Sequence, residues 1–290
     1  MDAILSTLIN GLSTGGIYAM IALGYTMVYG IAKMLNFAHG DIIMVGGYTI
    51  FVVIAASNPI LAVLAAVIVC VILGIVIERV AYRPLRGASP LAVLITAIGV
   101  SYLLQSLAQI FFGPSVQQVK VYEFGTVKFL GVNVQVYALV TMAVALVVMV
   151  VLTLFVKHSR MGRAMIAVSE DRDAAQLMGI NVNGIITVTF AIGSALAALA
   201  GLFLILETKG VETTMGAMPG IKAFTAAVIG GIGSIPGAML GGVLLGVVEH
   251  ICKRITVISN YTEAIEFSVL IIILLVKPTG FLGKKRREKV

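Results

Sequence analysis

Residues 60–77 read ILAVLAAVIVCVILGIVI, a stretch that contains no charged side chain. Its length is close to the roughly 20 residues that an α-helix needs to cross the hydrocarbon core of a bilayer. A turn signal, Ser-Asn-Pro at 57–59, precedes it, and the charged pair Glu78 and Arg79 follows it. The stretch therefore predicts a transmembrane helix.

The same pattern recurs along the chain. Hydrophobic residues make up 60% of the 290 and charged residues 11%, whereas a soluble domain carries roughly 25% charged residues. Charge-free runs cover 3–32, 42–77, 87–119, 129–156, 174–206 and 223–248. We predict an all-α integral membrane protein, a polytopic helical bundle with about 8–9 membrane segments in a single domain over residues 1–290.

Turn signals divide these runs into individual spans. The predicted spans lie near 9–31, 41–56, 60–81, 91–112, 134–156, 185–206 and 262–276. The stretch 221–250 is interrupted by GGIGSIPG at 230–237, so we interpret it as a broken pair of helices. The first run lacks the positive residues of a cleaved signal peptide, and we expect it to remain as a helix.

The distribution of positive charge predicts the orientation. Fourteen of the twenty Lys and Arg residues lie at Lys33, in 79–86, in 157–172 or in the tail 277–290. By the positive-inside rule these segments are cytoplasmic, and the connections 113–133 and 207–220 lie outside. The stretch 221–250 must then cross an even number of times. The basic tail is typical of a segment that attracts anionic lipid headgroups, so we expect membrane lipid and no nucleic acid as its partner.

Motifs for enzyme chemistry are absent from the sequence, including GxxxxGK[ST] for a phosphate loop, HExxH and GxSxG. Cys70 and Cys252 have no metal-type spacing. We therefore expect no enzyme, no metal site and no cofactor in this chain. The cores of the predicted spans also lack the ionisable residues that proton-coupled carriers use. Sodium coupling through backbone carbonyls leaves less trace and stays open.

A polar segment, NFAHGD at 36–41, joins the first two predicted spans. If it is shallow, it is an ordinary turn in which Asp41 caps a helix N-terminus. If it dips into the membrane, protein or a water-filled path must satisfy its polar groups, and Asn36, His39, Gly40 and Asp41 would line or gate a translocation route. Periodicity leaves both alternatives open.

The connection 157–184 carries start and stop signals of a short helix that lies off the membrane. Ser169 can cap its N-terminus, Glu170 and Asp171 suit its first turn, and Gly179 can end it. A compact helix with both charge signs and small alanines suits docking onto a protein partner. A solvated connecting helix is the alternative.

Four blocks of sequence give the chain a family likeness. They are NFAHGD (36–41), RPLRGASPLAVLITAIGVS (83–101), GRAMIAVSEDRDAAQLMGI (162–180) and GIKAFTAAVIGGIGSIPGAMLGG (220–242). In this order they closely resemble the permease subunits of branched-chain amino-acid ABC importers, in particular the high-affinity leucine/isoleucine/valine permeases. The resemblance extends from Gly11 to 277–280.

The resemblance implies a multi-pass permease of the bacterial cytoplasmic (inner) membrane that carries leucine, isoleucine and valine. Its partners would be a second permease subunit, two cytoplasmic ATPases that hold ATP and magnesium, and an extracytoplasmic substrate-binding protein. The coupling segment would be 157–184, with ATPase contacts at Gly162, Arg163, Ala164, Glu170, Asp171, Ala174, Ala175 and Gly179. The alternatives are a similar permease for urea, amides or another amino acid, and a stand-alone sodium-coupled carrier.

Overall fold

The computed structural model describes residues 2–56, 58–119, 125–129 and 132–283. Its α-helices are α1 (Asp2–Ala32), α2 (His39–Ile54), α3 (Pro59–Ile77), α4 (Pro90–Phe112), α5 (Val136–His158), α6 (Arg160–Glu170), α7 (Arg172–Leu177), α8 (Val182–Thr208), α9 (Ala217–Gly230), α10 (Ile235–Arg254) and α11 (Thr262–Val276). A π-helix at Glu78–Tyr82 and 3-10 helices at Arg83–Leu85 and Ser259–Tyr261 adjoin them. Most of the predicted basic tail, at 284–290, lies outside the described residues.

Four short strands lie in the connections between helices. β1 (Gln117–Gln118) pairs with β4 (Gly210–Val211), and β2 (Thr126–Phe129) pairs with β3 (Val132–Gln135), both antiparallel. These two-stranded ladders are small, and the architecture is a helical bundle.

The helices follow the charge-free runs of the sequence. Within the described residues, seven helices are long and apolar enough to cross a membrane, and α2 and α9 are apolar but shorter. These nine apolar helices confirm the predicted bundle of 8–9 segments. The broken pair at 221–250 consists of α9 and α10, joined by a turn at 231–234. α2 has 16 residues and is about 24 Å long, which is less than a bilayer core of about 30 Å.

α1 lies at the centre of the bundle and is buried over most of its length. α10, α8, α9 and α5 surround it, and α2 and α3 pack against α8. α4, α5 and α11 lie at the periphery, where Ile110, Val151 and Leu275 are more than half exposed. Apolar side chains on the outside of a bundle suit the hydrocarbon layer that surrounds a membrane protein.

The bundle has two ends, which we name by their charge. The basic end contains the end of α1, the segment 78–90, α6, α7 and the 231–234 turn. Arg172 of α7 donates a hydrogen bond to the carbonyl oxygen of Ala32 there, and Gly233 of the turn lies close to Gly30 of α1. The far end contains the two strand ladders and the connection from α10 to α11.

The backbone that follows α11 closes the end of α9. The N–H of Phe281 donates to the carbonyl of Ile229 at 2.8 Å, and the N–H of Leu282 donates to the carbonyl of Gly230 at 2.9 Å. The last carbonyls of a helix have no partner within the helix itself. The segment 277–283 therefore satisfies backbone groups that α9 leaves open.

The short helix predicted in 157–184 consists of two helices, α6 and α7. Ser169 does not cap a helix, because its hydroxyl donates to the carbonyl of Ile166 within α6 at 2.7 Å. The N-cap of α7 is Asp171, whose Oδ1 accepts from the N–H of Ala174 at 2.9 Å. The same Oδ1 also accepts from the N–H of Asp173 at 3.0 Å, so the Asp171 carboxylate satisfies two backbone donors at the start of α7.

α7 ends at Gly179 in a left-handed conformation, with φ of 80°. The N–H of Ile180 donates to the carbonyl of Ala175, and the N–H of Gly179 donates to the carbonyl of Gln176, each at 3.0 Å. This pair of bonds is the Schellman motif, which favours glycine because other residues are strained at positive φ.

Small residues let α1 and α10 approach each other closely. Gly246 of α10 lies against the backbone of Gly15 of α1, and Gly11 and Gly242 flank this contact. Close approach of this kind stabilises helix pairs in lipid through van der Waals packing.

Gly246→Ala should destabilise the bundle, because the added Cβ would overlap the backbone of Gly15. Overpacking costs about 1–3 kcal/mol. Gly99→Ala is the matched control, since a Cβ there meets nothing within 4 Å. Thermal unfolding in detergent should shift to lower temperature for Gly246→Ala only. Equal unfolding temperatures for the two variants would contradict a close contact between α1 and α10.

Candidate functional site

The connection between α1 and α2 turns back into the bundle. The ring centroid of His39 lies 4.7 Å from that of Tyr25, which precedes the end of α1 by seven residues, or about 10 Å along the axis. On the way, Asn36 accepts a hydrogen bond from the hydroxyl of Tyr82 at 2.8 Å. The polar segment 36–41 therefore lies deeper in the bundle than the end of α1.

The polar side chains of this segment are buried. Asn36, His39 and Asp41 are 2%, 1% and 3% exposed. Asp41 is not the N-cap of α2, because Ala38 occupies that position; its Oδ1 accepts from Nε2 of Gln105 on α4 at 2.8 Å. Nε2 of His39 has no hydrogen-bond partner among the described residues. A cavity of about 10 Å³ beside His39 and Asn36 has room for about one water molecule.

Gly40 contacts the start of α9. A Cβ at Gly216 would overlap the carbonyl group of Gly40, so the two backbones touch directly. α9 has 14 residues and runs about 21 Å from this contact to the basic end. Two interrupted helices, α2 and α9, thus begin side by side inside the bundle and run towards opposite ends. Each places the positive end of its dipole there.

A cluster of charged side chains lies among α1, α9, α10 and α11. Nζ of Lys222 lies 3.2 Å from Oε1 of Glu249 and 3.2 Å from Oε2 of Glu266. The hydroxyl of Tyr18 donates to Oε2 of Glu249 at 2.6 Å. Lys253 also pairs with Glu249 at 2.6 Å, and its side chain is 58% exposed. The two lysines and two glutamates balance in formal charge.

This cluster overturns the expectation that the predicted spans lack ionisable residues. Lys222 and Glu249 flank the charge-free run 223–248, and Glu266 lies within the last predicted span. A buried charge in an apolar layer is stable only when it is paired. The available signal was a charge near each end of the stretch 221–250, at Lys222 and Glu249, together with Glu266 inside the span 262–276. Their convergence depends on how the helices pack, which sequence spacing does not reveal.

The coupling residues predicted from the resemblance lie at the basic end and differ in their exposure. Gly162 and Ala175 are buried, Ala164 is half-buried, and Arg163, Glu170, Asp171, Ala174 and Gly179 are exposed. Sequence reasoning missed Leu177 and Met178, which are 90% and 82% exposed at the tip of α7. Two apolar residues directly before the helix-ending Gly179 were the signal for them.

Side-chain bonds join the α7 region to the interior. Arg172 donates to the carbonyl of Ala32, the last residue of α1. Burial, together with the nearby charge of Arg86, lowers the pKa of Arg172, but an arginine has so high a pKa that it stays charged. Glu78, which is fully buried, accepts hydrogen bonds from Arg86 and from the hydroxyl of Thr187, the latter at 2.7 Å. α7 is thereby connected to the end of α1 and so to the polar segment.

Known proteins are similar in sequence to this chain over nearly its whole length. The family model described as "Branched-chain amino acid transport system / permease component" matches residues 7–274. The chain belongs to this permease family. The family and the seven long apolar helices make the permease a multi-pass inner membrane protein.

Three relatives show how far the similarity extends. The permease is 44% identical to the high-affinity branched-chain amino acid transport system permease protein BraD of Pseudomonas aeruginosa, over 99% of this chain and 98% of that protein. It is 42% identical to the corresponding protein LivH of Escherichia coli K12, over 99% and 97%. The ribose import permease protein RbsC of Haemophilus influenzae is 26% identical, over 96% and 86%.

Lys222→Met should strongly destabilise the permease, since Glu249 and Glu266 would stay buried without their shared cation. Removal of one partner from a buried ion pair costs about 3–5 kcal/mol. Lys253→Met is the comparison variant, because it removes the same charge from the same cluster but from a side chain that is 58% exposed, so its loss should cost less. Thermal unfolding of both variants in detergent measures the difference. A Lys222→Met variant as stable as Lys253→Met would show that the cluster does not stabilise the fold.

Proposed function

We propose that the permease carries leucine, isoleucine and valine into the cell as a membrane subunit of an ABC importer. The observation that carries this proposal is the 44% identity, over 99% of the chain, to a permease named for high-affinity branched-chain amino acid transport. The importer would contain a second permease subunit, two ATPases that hold ATP and magnesium, and a substrate-binding protein outside the membrane. The permease itself would supply the path.

In this proposal the basic end faces the cytoplasm. The positive-inside rule places Lys and Arg near the membrane on that side, and Arg79, Arg83 and Arg86 lie in the connection from α3 to α4. The segment 157–184, with Arg160 and Arg163, is at the same end and would be the coupling segment. The basic residues of the tail would bind anionic lipid headgroups there.

The tip of α7 would be the contact with an ATPase. Leu177 and Met178 are almost fully exposed outside the apolar helices, and Ala174 is exposed on the same helix. Adjacent exposed apolar side chains at the tip of a helix favour a contact with a protein partner. Ala175 faces the bundle, so of the two alanines only Ala174 can touch a partner directly.

Movement of the ATPases would then reach the polar segment through three contacts. Arg172 binds the end of α1, Tyr82 binds Asn36, and Gly40 touches the start of α9 at Gly216. A push on α7 would shift the connection between α1 and α2, and with it the meeting point of the two interrupted helices. That meeting point is the element that would switch between two arrangements, as coupling between distant sites requires.

Transport by the reconstituted importer tests the substrate and the energy source together. We expect proteoliposomes with the permease, its second subunit and the ATPases to take up radiolabelled leucine when binding protein is supplied outside and ATP and magnesium on the ATPase side. Preferential uptake of urea, an amide or another amino acid would show that the permease carries that substrate instead. Uptake by the permease alone, driven by a sodium gradient, would establish the stand-alone carrier instead.

Leu177→Glu should weaken ATPase binding, because a charge would enter an apolar contact. We expect less ATPase to co-purify with this variant and substrate-stimulated ATP hydrolysis to fall at least about tenfold, the effect of a loss of about 1.4 kcal/mol. Leu177→Met keeps the apolar character and should behave as the unmodified protein.

Val257→Glu is the matched control for the added charge. Val257 is 82% exposed, like the α7 tip, but lies at the far end of the bundle. The control should retain its ATPase. If Leu177→Glu also retains normal ATPase binding and hydrolysis, the contact must lie elsewhere at the basic end.

A further inference from the structure

Three polar side chains lie on the outer side of α4. Tyr102, Ser106 and Gln109 are exposed there, Tyr102 by 67%. Their spacing of four and then three residues places them in one row along the helix, which we name the polar face of α4. Within the part of the chain that the structure describes, none of the three side chains makes a hydrogen bond.

The polar face lies at the depth of the hydrocarbon layer. α4 has 23 residues and is about 34 Å long, slightly more than a bilayer core of about 30 Å. Tyr102 is about 15 Å along the axis from the end of α4 at Phe112, so it lies near the middle of the bilayer, and Ser106 is about 9 Å from that end. Hydrocarbon neither donates nor accepts hydrogen bonds, so lipid on this face would leave the hydroxyl groups unsatisfied.

α3 and α5 also face outwards, but their exposed residues within the bilayer are apolar. On α5, the hydroxyls of Thr141 and Thr153 donate to carbonyl oxygens of their own helix, both at 2.8 Å. The exposed residues of α3 between Ile60 and Val76 carry no polar side chain. Exposed polar groups in mid-bilayer therefore distinguish α4 from these two neighbours.

A second row on α4 is apolar. Leu103, Leu107 and Ile110 each follow one of the three polar residues directly, so their row lies about 100° further around the helix. These three side chains are exposed as well. The apolar row suits lipid, whereas the polar face needs a different neighbour.

The polar face continues into the interior of the bundle. Gln105 lies three residues after Tyr102 on α4 and is half-buried. Its amide donates to Oδ1 of Asp41 at 2.8 Å and to the hydroxyl of Ser101 at 3.3 Å. Gln105 therefore connects the exposed row to the buried polar segment, next to the meeting point of α2 and α9.

We propose that the polar face of α4 lines a water-filled substrate path, which the second permease subunit encloses on its other side. This inference rests on the proposed function and identifies side chains along the route. An amino acid carries an ammonium and a carboxylate, and hydroxyl and amide groups can bind both because they donate and accept hydrogen bonds. Since these groups are uncharged, the substrate can leave them again, as conduction requires. A dry contact with the second subunit is the competing arrangement.

Thiol labelling tests whether water reaches the polar face. Ser106→Cys is nearly isosteric, and Leu107→Cys is its matched control at the next position, on the apolar row. A thiol reacts as its thiolate, which forms in water and is suppressed in an apolar layer. In the importer in lipid nanodiscs, a charged methanethiosulfonate reagent should therefore modify Ser106→Cys at least about tenfold faster than Leu107→Cys. The unmodified importer, in which Cys70 and Cys252 of this chain are buried, gives the background rate.

Leucine uptake tests whether the substrate uses the wet face. In proteoliposomes with the reagent on both sides, Ser106→Cys should lose at least about tenfold of the uptake it shows without reagent, because a charged adduct would obstruct the path. Leu107→Cys should keep its uptake under the same treatment. This control also excludes damage by the reagent elsewhere in the importer. ATPase co-purification shows that each variant is assembled.

Two results would overturn the path. One is a reaction of Ser106→Cys in the importer that is as slow as that of Leu107→Cys; if removal of the second subunit then accelerates it, the face is a dry contact with that subunit. The other is rapid labelling that leaves leucine uptake unchanged, because the substrate would then pass elsewhere. The labelling comparison requires no transport. An importer that carries no branched-chain amino acid would therefore contradict the proposed function, while the labelling rates would still decide whether the polar face is wet.

Discussion

Backbone polar groups inside a bilayer must find partners within the protein, and this constraint decides where the permease can interrupt a helix. α4 and α5 face outwards and run unbroken for 23 residues each. The interruptions before α2 and α9 instead meet at Gly40 and Gly216, enclosed by α1 and by each other. Irregular backbone is thereby confined to the interior, where a substrate path can also be polar.

The sequence was sufficient for the helices and the family, because charge-free runs and four motif blocks are properties of contiguous residues. It was insufficient wherever distant segments converge. Periodicity could not choose between a shallow and a buried position for Asp41, since the answer depends on Gln105 of α4. Nor could periodicity predict that Lys222 pairs with Glu266, which lies on another helix. The prediction that Ser169 caps a helix was wrong for a local reason. Two residues that can cap a helix lie close together in the sequence, and the structure uses Asp171.

Two groups of buried polar side chains, the cluster around Lys222 and the carboxylate of Asp41, lie in different parts of the bundle. The cluster around Lys222 joins α1, α9, α10 and α11 with charges that satisfy one another, so it favours a rigid unit. Asp41 lies where α2 meets α4, and Gln105, which donates a hydrogen bond to its carboxylate, is a neutral residue. An alternating-access mechanism requires one part that holds its shape and another that changes partners. In the proposed importer, the cluster around Lys222 would suit the first role and the contact between Asp41 and Gln105 the second.

The closing of α9 by backbone that follows α11 also constrains how the protein is made. When the ribosome has produced α9, the N–H groups of residues 281 and 282 that bind its last carbonyls do not yet exist. Lys222 likewise has no partner until Glu249 and Glu266 have been synthesised. An unpaired Lys222 is costly in hydrocarbon, whereas water can satisfy the last carbonyls of α9 at the basic end until the later segment is made. Stable insertion of α9 therefore depends on α10 and α11, which carry the two carboxylates that pair with Lys222.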